Sequence, residues 1–378
     1  MKPSFAALLL AAAPLLAAPA RAQQDPQYSD EQSWVLAIDK EIPSGELEAA
    51  TADADAQGTA DPLLELAAKH KIAAPGWLRD RISAQGDATV LAALGDSITA
   101  AYTTCSGLFC PDNSWSVGKL PTSLRTELAA ASGRDVRPLL VAVPAAQITH
   151  MPAQAYAVFL ASSFGLNVER MTLFIGHNDP GVCGAPNGHE TKDFADKYAS
   201  TLKILGHVAR KRGARLFVSS IAEVPAIAAY GAVVPRGGAK TCRELWTSTG
   251  RCAPLLGAGA GPDAAAKISS QIAAYDAVLG SLAEGKDWVL YADIVNANSR
   301  EGMADPASWL SPADCFHPSV VGQGVLGYIT WRGFGATPGI ASFFAWPAAK
   351  EPVARTAPLL PAGIAAELDA WRSESRRP

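Results

Sequence analysis

Several signatures are missing from this chain of 378 residues, and each absence removes a class of function. No Gly-x-x-x-x-Gly-Lys-Ser/Thr loop is present to cradle a nucleotide phosphate. Gly-x-Ser-x-Gly, the nucleophile elbow of the α/β-hydrolases, is also missing. Neither Cys-x-x-Cys nor His-x-x-x-His occurs, so zinc lacks its ligand spacing, and no metal or cofactor is expected. Charge is sparse: 18% of residues are charged and the net charge is −4. A mildly acidic surface argues against nucleic acid or anionic membrane as a partner. No cysteine precedes Cys105, which excludes a lipid-modified cysteine near the start. The apolar stretch Phe5–Ala20 is broken by Ala-Pro pairs and falls short of the roughly 20 residues needed to span a bilayer.

That stretch follows Met1-Lys2 and ends in Ala20-Arg21-Ala22, a basic start, an apolar segment and a small-x-small cleavage site. Residues 1–22 therefore read as a signal peptide, and the mature chain as secreted or periplasmic, without a stable membrane anchor. Cleavage removes Lys2 and Arg21, and losing these two positive charges moves the net charge from −4 to −6. Six cysteines in an exported chain fit three disulfides. The spacing favours Cys105–Cys110 and Cys242–Cys252, which close short loops, and Cys183–Cys315, which joins two motif-bearing segments.

With 49% hydrophobic residues the chain can bury a large core. Residues 23–87 are polar and Ala-rich and read as an N-terminal helical arm. From residue 88 the pattern changes: Ala88–Leu94 is a short apolar run ending in Gly95-Asp96-Ser97, a buried strand feeding a tight turn. Further apolar runs at 138–143, 171–175, 215–221 and 288–292 alternate with helical stretches at 121–132, 151–163, 190–212 and 263–284. That alternation predicts an α/β fold with a parallel sheet, whose site lies beyond the carboxyl ends of the strands. The stretch 223–262 is too long for an ordinary connection and is read as an insertion, a wall or cap of an acyl pocket or a surface loop. Residues 336–378 are Pro- and Ala-rich and read as a strap and tail.

A serine hydroxyl is a poor nucleophile until an imidazole takes its proton, and the imidazole must be oriented by an acceptor on its far nitrogen. Ser97, His317 and Asp314 supply the three parts, the Asp lying three residues before the His. Oxyanion donors are sought in the Ser97 backbone N–H, a second backbone N–H, and the side chain of Asn178, which follows the apolar run ending at Ile175. Asp96 and Asp179 are read as structural. His177 is read as lining the cleft, with a possible substrate contact. Trp246, inside the insertion, is a second substrate-binding candidate. Gly322-Gln323-Gly324-Val325-Leu326-Gly327 matches Gly-x-Gly-x-x-Gly, but no strand precedes it, so nucleotide binding is discarded.

Gly95-Asp96-Ser97-Ile98, Gly176-His177-Asn178-Asp179 and Asp314-Cys315-Phe316-His317 occur in that order. Together they resemble the nucleophile, Gly-x-Asn-Asp and Asp-x-x-His blocks of the SGNH (GDSL-type) hydrolases. Ser114-Trp115-Ser116-Val117-Gly118 and Cys315-Phe316-His317-Pro318-Ser319 are similar to stretches of the secreted phospholipase B-like and lipase branch. The resemblance covers about residues 88–335, taken as the catalytic domain. It implies a flavodoxin-like three-layer sandwich of about five parallel strands and cofactor-free ester hydrolysis through an acyl-enzyme, acting as a monomer on a small-molecule or lipid ester. The family's second block has a glycine that donates to the oxyanion. Here the segment is Ala142-Val143-Pro144-Ala145-Ala146-Gln147, and Ala145 takes the place, where a left-handed backbone would be strained. Polysaccharide O-deacetylation, acyl transfer to an alcohol, and a non-catalytic envelope-binding relative stay open beside the esterase, lipase or phospholipase reading.

Overall fold

The computed structural model of the chain describes residues 29–105, 109–184, 191–258 and 260–345. The expected signal peptide and most of the C-terminal tail lie outside these residues. Five strands, β1 (Thr89–Gly95), β2 (Val136–Leu140), β3 (Val168–Phe174), β4 (Arg215–Ser219) and β5 (Val289–Ala292), form one parallel sheet in the order β2-β1-β3-β4-β5. β1 pairs Ala92 with Leu139 on one side and Met171 on the other.

β1 is buried along its whole length, which explains why its sequence is a continuous apolar run and not an alternation. Its side chains nevertheless alternate in space. Val90, Ala92 and Leu94 enter one core while Leu91 and Ala93 enter the other, as the two-residue repeat of a strand demands. The chain is thus a three-layer α/β sandwich, as expected.

Four helices, α1 (Asp30–Glu41), α2 (Ser44–Gln57), α3 (Asp61–Lys69) and α4 (Gly76–Ala84), form the N-terminal arm. They share the core that the sheet makes with α6 (Met151–Phe164), α7 (Thr191–Arg212) and α11 (Ala264–Ala283); α5 (Leu124–Ser132) packs on the other face. The arm is anchored by polar contacts as well. Buried Gln32 donates to the Ala142 carbonyl at 2.7 Å, and Arg81 bridges Glu31 at 2.5 Å and the Pro138 carbonyl at 3.1 Å.

The insertion carries three short helices, α8 (Val224–Ile227), α9 (Cys242–Thr249) and α10 (Ala253–Leu256). Its disulfides correct the expectation. Cys105–Cys110 forms as anticipated, but the others are Cys183–Cys252 and Cys242–Cys315, not Cys242–Cys252 and Cys183–Cys315. The physical reason is α9 itself. Eight helical residues rise about 12 Å, which holds Cys242 and Cys252 beyond the reach of one disulfide. After β5 come α12 (Val295–Glu301), α13 (Pro306–Trp309) and α14 (Val320–Arg332). The Gly-x-Gly-x-x-Gly run lies within α14. A Cβ on Gly322 would stand 2.3 Å from the Trp309 carbonyl, and one on Gly327 2.2 Å from that of Thr122, so these glycines serve close packing. Among the described residues no helix is long and apolar enough to cross a membrane.

Candidate active site

The order β2-β1-β3-β4-β5 reverses direction between β1 and β3, and the loops after those strands part there to leave a crevice. Ser97 stands two residues beyond the end of β1. Gly95 makes the sharp exit possible: its φ is 144°, and a Cβ there would lie 2.3 Å from the Phe174 carbonyl. Gln154 of α6 grips both polar groups of Gly95, its Oε1 accepting from the Gly95 N–H (2.8 Å) and its Nε2 donating to the Gly95 carbonyl (2.9 Å). From α14, Gln323 donates to the Ile98 carbonyl (2.8 Å) and accepts from the Trp115 N–H (2.9 Å). Ser114 Oγ donates to the Thr99 carbonyl. The Ser-Trp-Ser-x-Gly stretch therefore buttresses the turn that carries Ser97.

Across 220 positions, His317 Nε2 lies 2.8 Å from Ser97 Oγ, and His317 Nδ1 lies 2.6 Å from Asp314 Oδ2. The other carboxylate oxygen accepts from the backbone N–H groups of Phe316 and His317, each at 3.1 Å. All three side chains are buried. Burial pushes the Asp314 carboxyl up, but the facing His317 imidazole, its hydrogen bonds and the Arg251 guanidinium bring it below its ordinary value. An ionised acceptor on Nδ1 leaves Nε2 free to take the serine proton.

Ala145 does adopt the left-handed backbone, with φ 62°. Neither its N–H nor that of Ser97 is engaged by another group among the described residues. Asn178 donates one Nδ2 proton to the Ala146 carbonyl (3.1 Å), while its own carbonyl accepts from Gln147 Nε2 (2.8 Å), so the loops after β2 and β3 are stitched together. Asp179 fastens the same loop by accepting from the Ile148 N–H. Burial pushes its carboxyl up to about 7.

His177 is buried and structurally engaged. Its Nε2 accepts from the Ala222 N–H (3.2 Å), which places the proton on Nδ1, where it is donated to Asp96 Oδ2 (2.9 Å). One edge of the ring still lines an apolar cavity of about 60 Å³. Ile98, Phe316 and Pro318, each adjacent in sequence to a triad residue, line it too, as do Val224 and Ile227 of the insertion. Trp246 is not among its lining residues. Its indole is buried beneath the Asp-x-x-His loop and donates to the Cys315 carbonyl at 2.9 Å, because Cys242–Cys315 draws α9 onto that loop. Val224 and Ile227 of the insertion wall the cavity, α9 packs on the loop that carries Asp314 and His317, and Cys252 is bonded to the loop after β3.

Residue by residue, the profile of the GDSL-like lipase/acylhydrolase family matches positions 93–325, more than half of the chain. The protein belongs to that family. No curated protein sequence matches this acylhydrolase. Among solved structures it is similar to a lipase/acylhydrolase from Enterococcus faecalis, at 16% identity, covering 63% of this chain and 91% of that one with a TM-score of 0.38. It is also similar to phospholipase A1 from Streptomyces albidoflavus, at 17% identity, 64% and 97% coverage and a TM-score of 0.35. A carbohydrate acetylesterase from Sinorhizobium meliloti is similar at 13% identity, 64% and 95% coverage and a TM-score of 0.37. Membership supports ester hydrolysis as the chemistry of this acylhydrolase.

Two supports of the site were missed by motif reading, Gln154 and Arg251. Gln154 had a signal: it is an amide within the otherwise apolar run Met151–Leu160, and a buried amide requires partners. Arg251 had none, since its place depends on the disulfide pairing.

Proposed function

We propose that this protein is an exported carboxylic ester hydrolase working through a Ser-His-Asp triad and an acyl-enzyme. The observation that carries the reading is the continuous hydrogen-bonded chain from Ser97 Oγ through His317 to Asp314. Ser97 attacks the acyl carbonyl as His317 Nε2 takes its proton, and the developing oxyanion is met by the N–H groups of Ser97 and Ala145 and by the second Nδ2 proton of Asn178. His317 returns the proton to the departing alcohol, and water then repeats the sequence to free the acid. Asp314 stays ionised throughout.

A small apolar cavity is lined by residues flanking Ser97 and His317, and an acyl chain seated there would have to be short. This keeps deacetylation of a carbohydrate as the second reading, ahead of long-chain lipase or phospholipase B-like activity. Hydrolysis rates across p-nitrophenyl acetate, butyrate and octanoate separate the two: a fall from acetate to octanoate supports the small-acyl reading, and the reverse order removes it. A non-catalytic role rested on the missing glycine, and that ground weakens because Ala145 keeps both its N–H and the left-handed backbone. Export is supported by three disulfides, which persist in oxidising compartments.

Fluorophosphonate labelling tests the core of the proposal. Wild type is expected to label, and Ser97→Ala to remain folded, fail to label and lose ester turnover by roughly 10⁴-fold or more. Labelling that survives in Ser97→Ala would move the nucleophile elsewhere and sink the assignment.

A further inference from the structure

We propose that Arg251, carried by the insertion, is a positioning residue of the triad, holding Asp314 from outside its own loop and tuning the basicity of His317. The inference rests on the triad reading above. Arg251 Nε stands 3.3 Å from Asp314 Oδ2, the oxygen that also faces His317 Nδ1, as an ion pair without hydrogen-bond alignment. Its Nη2 donates to the Tyr102 hydroxyl at 3.2 Å, and its guanidinium carbon lies 5.2 Å from the centre of that ring. The Tyr102 ring in turn meets the His317 imidazole edge-on, with centroids 5.0 Å apart. Arg251 therefore touches the acid directly and the base through one aromatic ring.

Its placement is enforced covalently. Gly250, in the left-handed region at φ 66°, ends α9 and turns the chain, and Cys252 follows at φ 43° in a disulfide with Cys183. On the other side, Asp314 precedes Cys315, which is bonded to Cys242 at the start of α9. Each member of the ion pair is thus one residue from a disulfide that ties the insertion to the loops beyond the sheet.

The groups that face the pair are His317 on the catalytic loop, Arg251 on the insertion, and Ser97 and Tyr102 on the loop after β1. Of these, Arg251 alone brings a permanent positive charge. Such a charge favours the carboxylate and opposes a second positive charge on the imidazole. Removing it raises the proton affinity of His317. The acid limb of kcat/KM then moves to higher pH.

The test is a proton NMR titration of the His317 ring, assigned by its loss in His317→Gln, in wild type, Arg251→Gln and Arg251→Lys. The midpoint is expected to rise by about half to one pH unit in Arg251→Gln and to stay near wild type in Arg251→Lys. The acid limb for a p-nitrophenyl ester shifts in parallel. The arginine side chain is 35% exposed, so the substitution opens no core void, and Arg251→Met serves as a second neutral variant. An unchanged midpoint in both neutral variants, or an equal shift in Arg251→Lys, overturns the proposal. The titration needs no turnover, so a wild type that neither labels nor hydrolyses would count against the esterase reading without bearing on this one.

Discussion

Ala145 holds a backbone conformation that a residue with a Cβ avoids, and it has company. Of the six described non-glycine residues with positive φ, Ala101, Thr103, Ala145, Cys252 and Cys315 lie in the loops that form or brace the candidate triad, and the sixth, Lys71, lies in the N-terminal arm. Such strain costs roughly 1–3 kcal/mol per residue and persists only where surrounding contacts impose it. Ala145 is exposed, so its methyl group contributes little burial to offset the cost. Ala145→Gly should relieve about 1–2 kcal/mol of left-handed strain and lose about 0.4–1 kcal/mol to the freer unfolded chain. The expected net is a gain of about 0.5–1 kcal/mol in thermal or denaturant unfolding, with ester turnover retained because the N–H stays. A loss of about 0.4–1 kcal/mol, the entropic cost alone, would mean that the loop carries no strain at this position. The sequence already pointed to this residue, since an alanine stands where the resemblance calls for glycine. Gln154 stood out only as an amide in an apolar run, and its partners were not legible, because the hydrogen bonds of an amide depend on which helix crosses the end of β1.

The insertion behaves as a clamp more than a cap. Its position was legible from the length of the connection, but its pairing was not, because a short spacing between cysteines says nothing about the helix between them. Once α9 forms, Cys242 faces the catalytic loop and Cys252 faces the loop after β3. Chain entropy ranks the bonds: Cys242–Cys315 closes a separation of 73 residues and Cys105–Cys110 one of 5. Replacing both cysteines of the first pair by alanine should cost about 4 kcal/mol, against about 2 kcal/mol for the second. Loss of the first bond should also lower turnover, since Trp246, Arg251 and the left-handed Cys315 all depend on that junction. Denaturant midpoints and ester hydrolysis of the two double variants check the ranking. A Cys242→Ala/Cys315→Ala protein with wild-type turnover would reduce the insertion to a stabilising appendage.

At the scale of the molecule, the parallel α/β sheet was readable because each strand is a compact apolar run, and the candidate triad could be proposed because each of its residues sits just past such a run or in a loop. What escaped is how the carboxyl ends of the strands are tied together. Two carboxyls, buried Asp179 and half-buried Asp276, do much of this. Asp179, after β3, accepts from the Ile148 N–H beyond β2, and Asp276 of α11 accepts from the Ile221 N–H beyond β4 at 2.9 Å. Burial pushes each up to about 7, above the roughly 3.9 of an unfolded aspartate. The sign follows from proton counting. Between about pH 4 and pH 7 the unfolded chain has released a proton that the folded chain keeps, so stability falls as pH rises, by at most about 1.4 kcal/mol per pH unit for each group. Asp314 works in the opposite direction in a separate window: its lowered folded value contributes stability above the unfolded value that is lost as pH falls through the folded one. Asp276→Asn keeps an acceptor for the Ile221 N–H and removes the ionisation, so its denaturant midpoint should fall less between pH 5 and pH 8 than that of wild type. Adding Asp179→Asn should flatten the profile further. If Asp276→Asn runs parallel to wild type across that range, the carboxyl ionises in the fold as it does in the open chain, and the loop beyond β4 is held by a charged group after all.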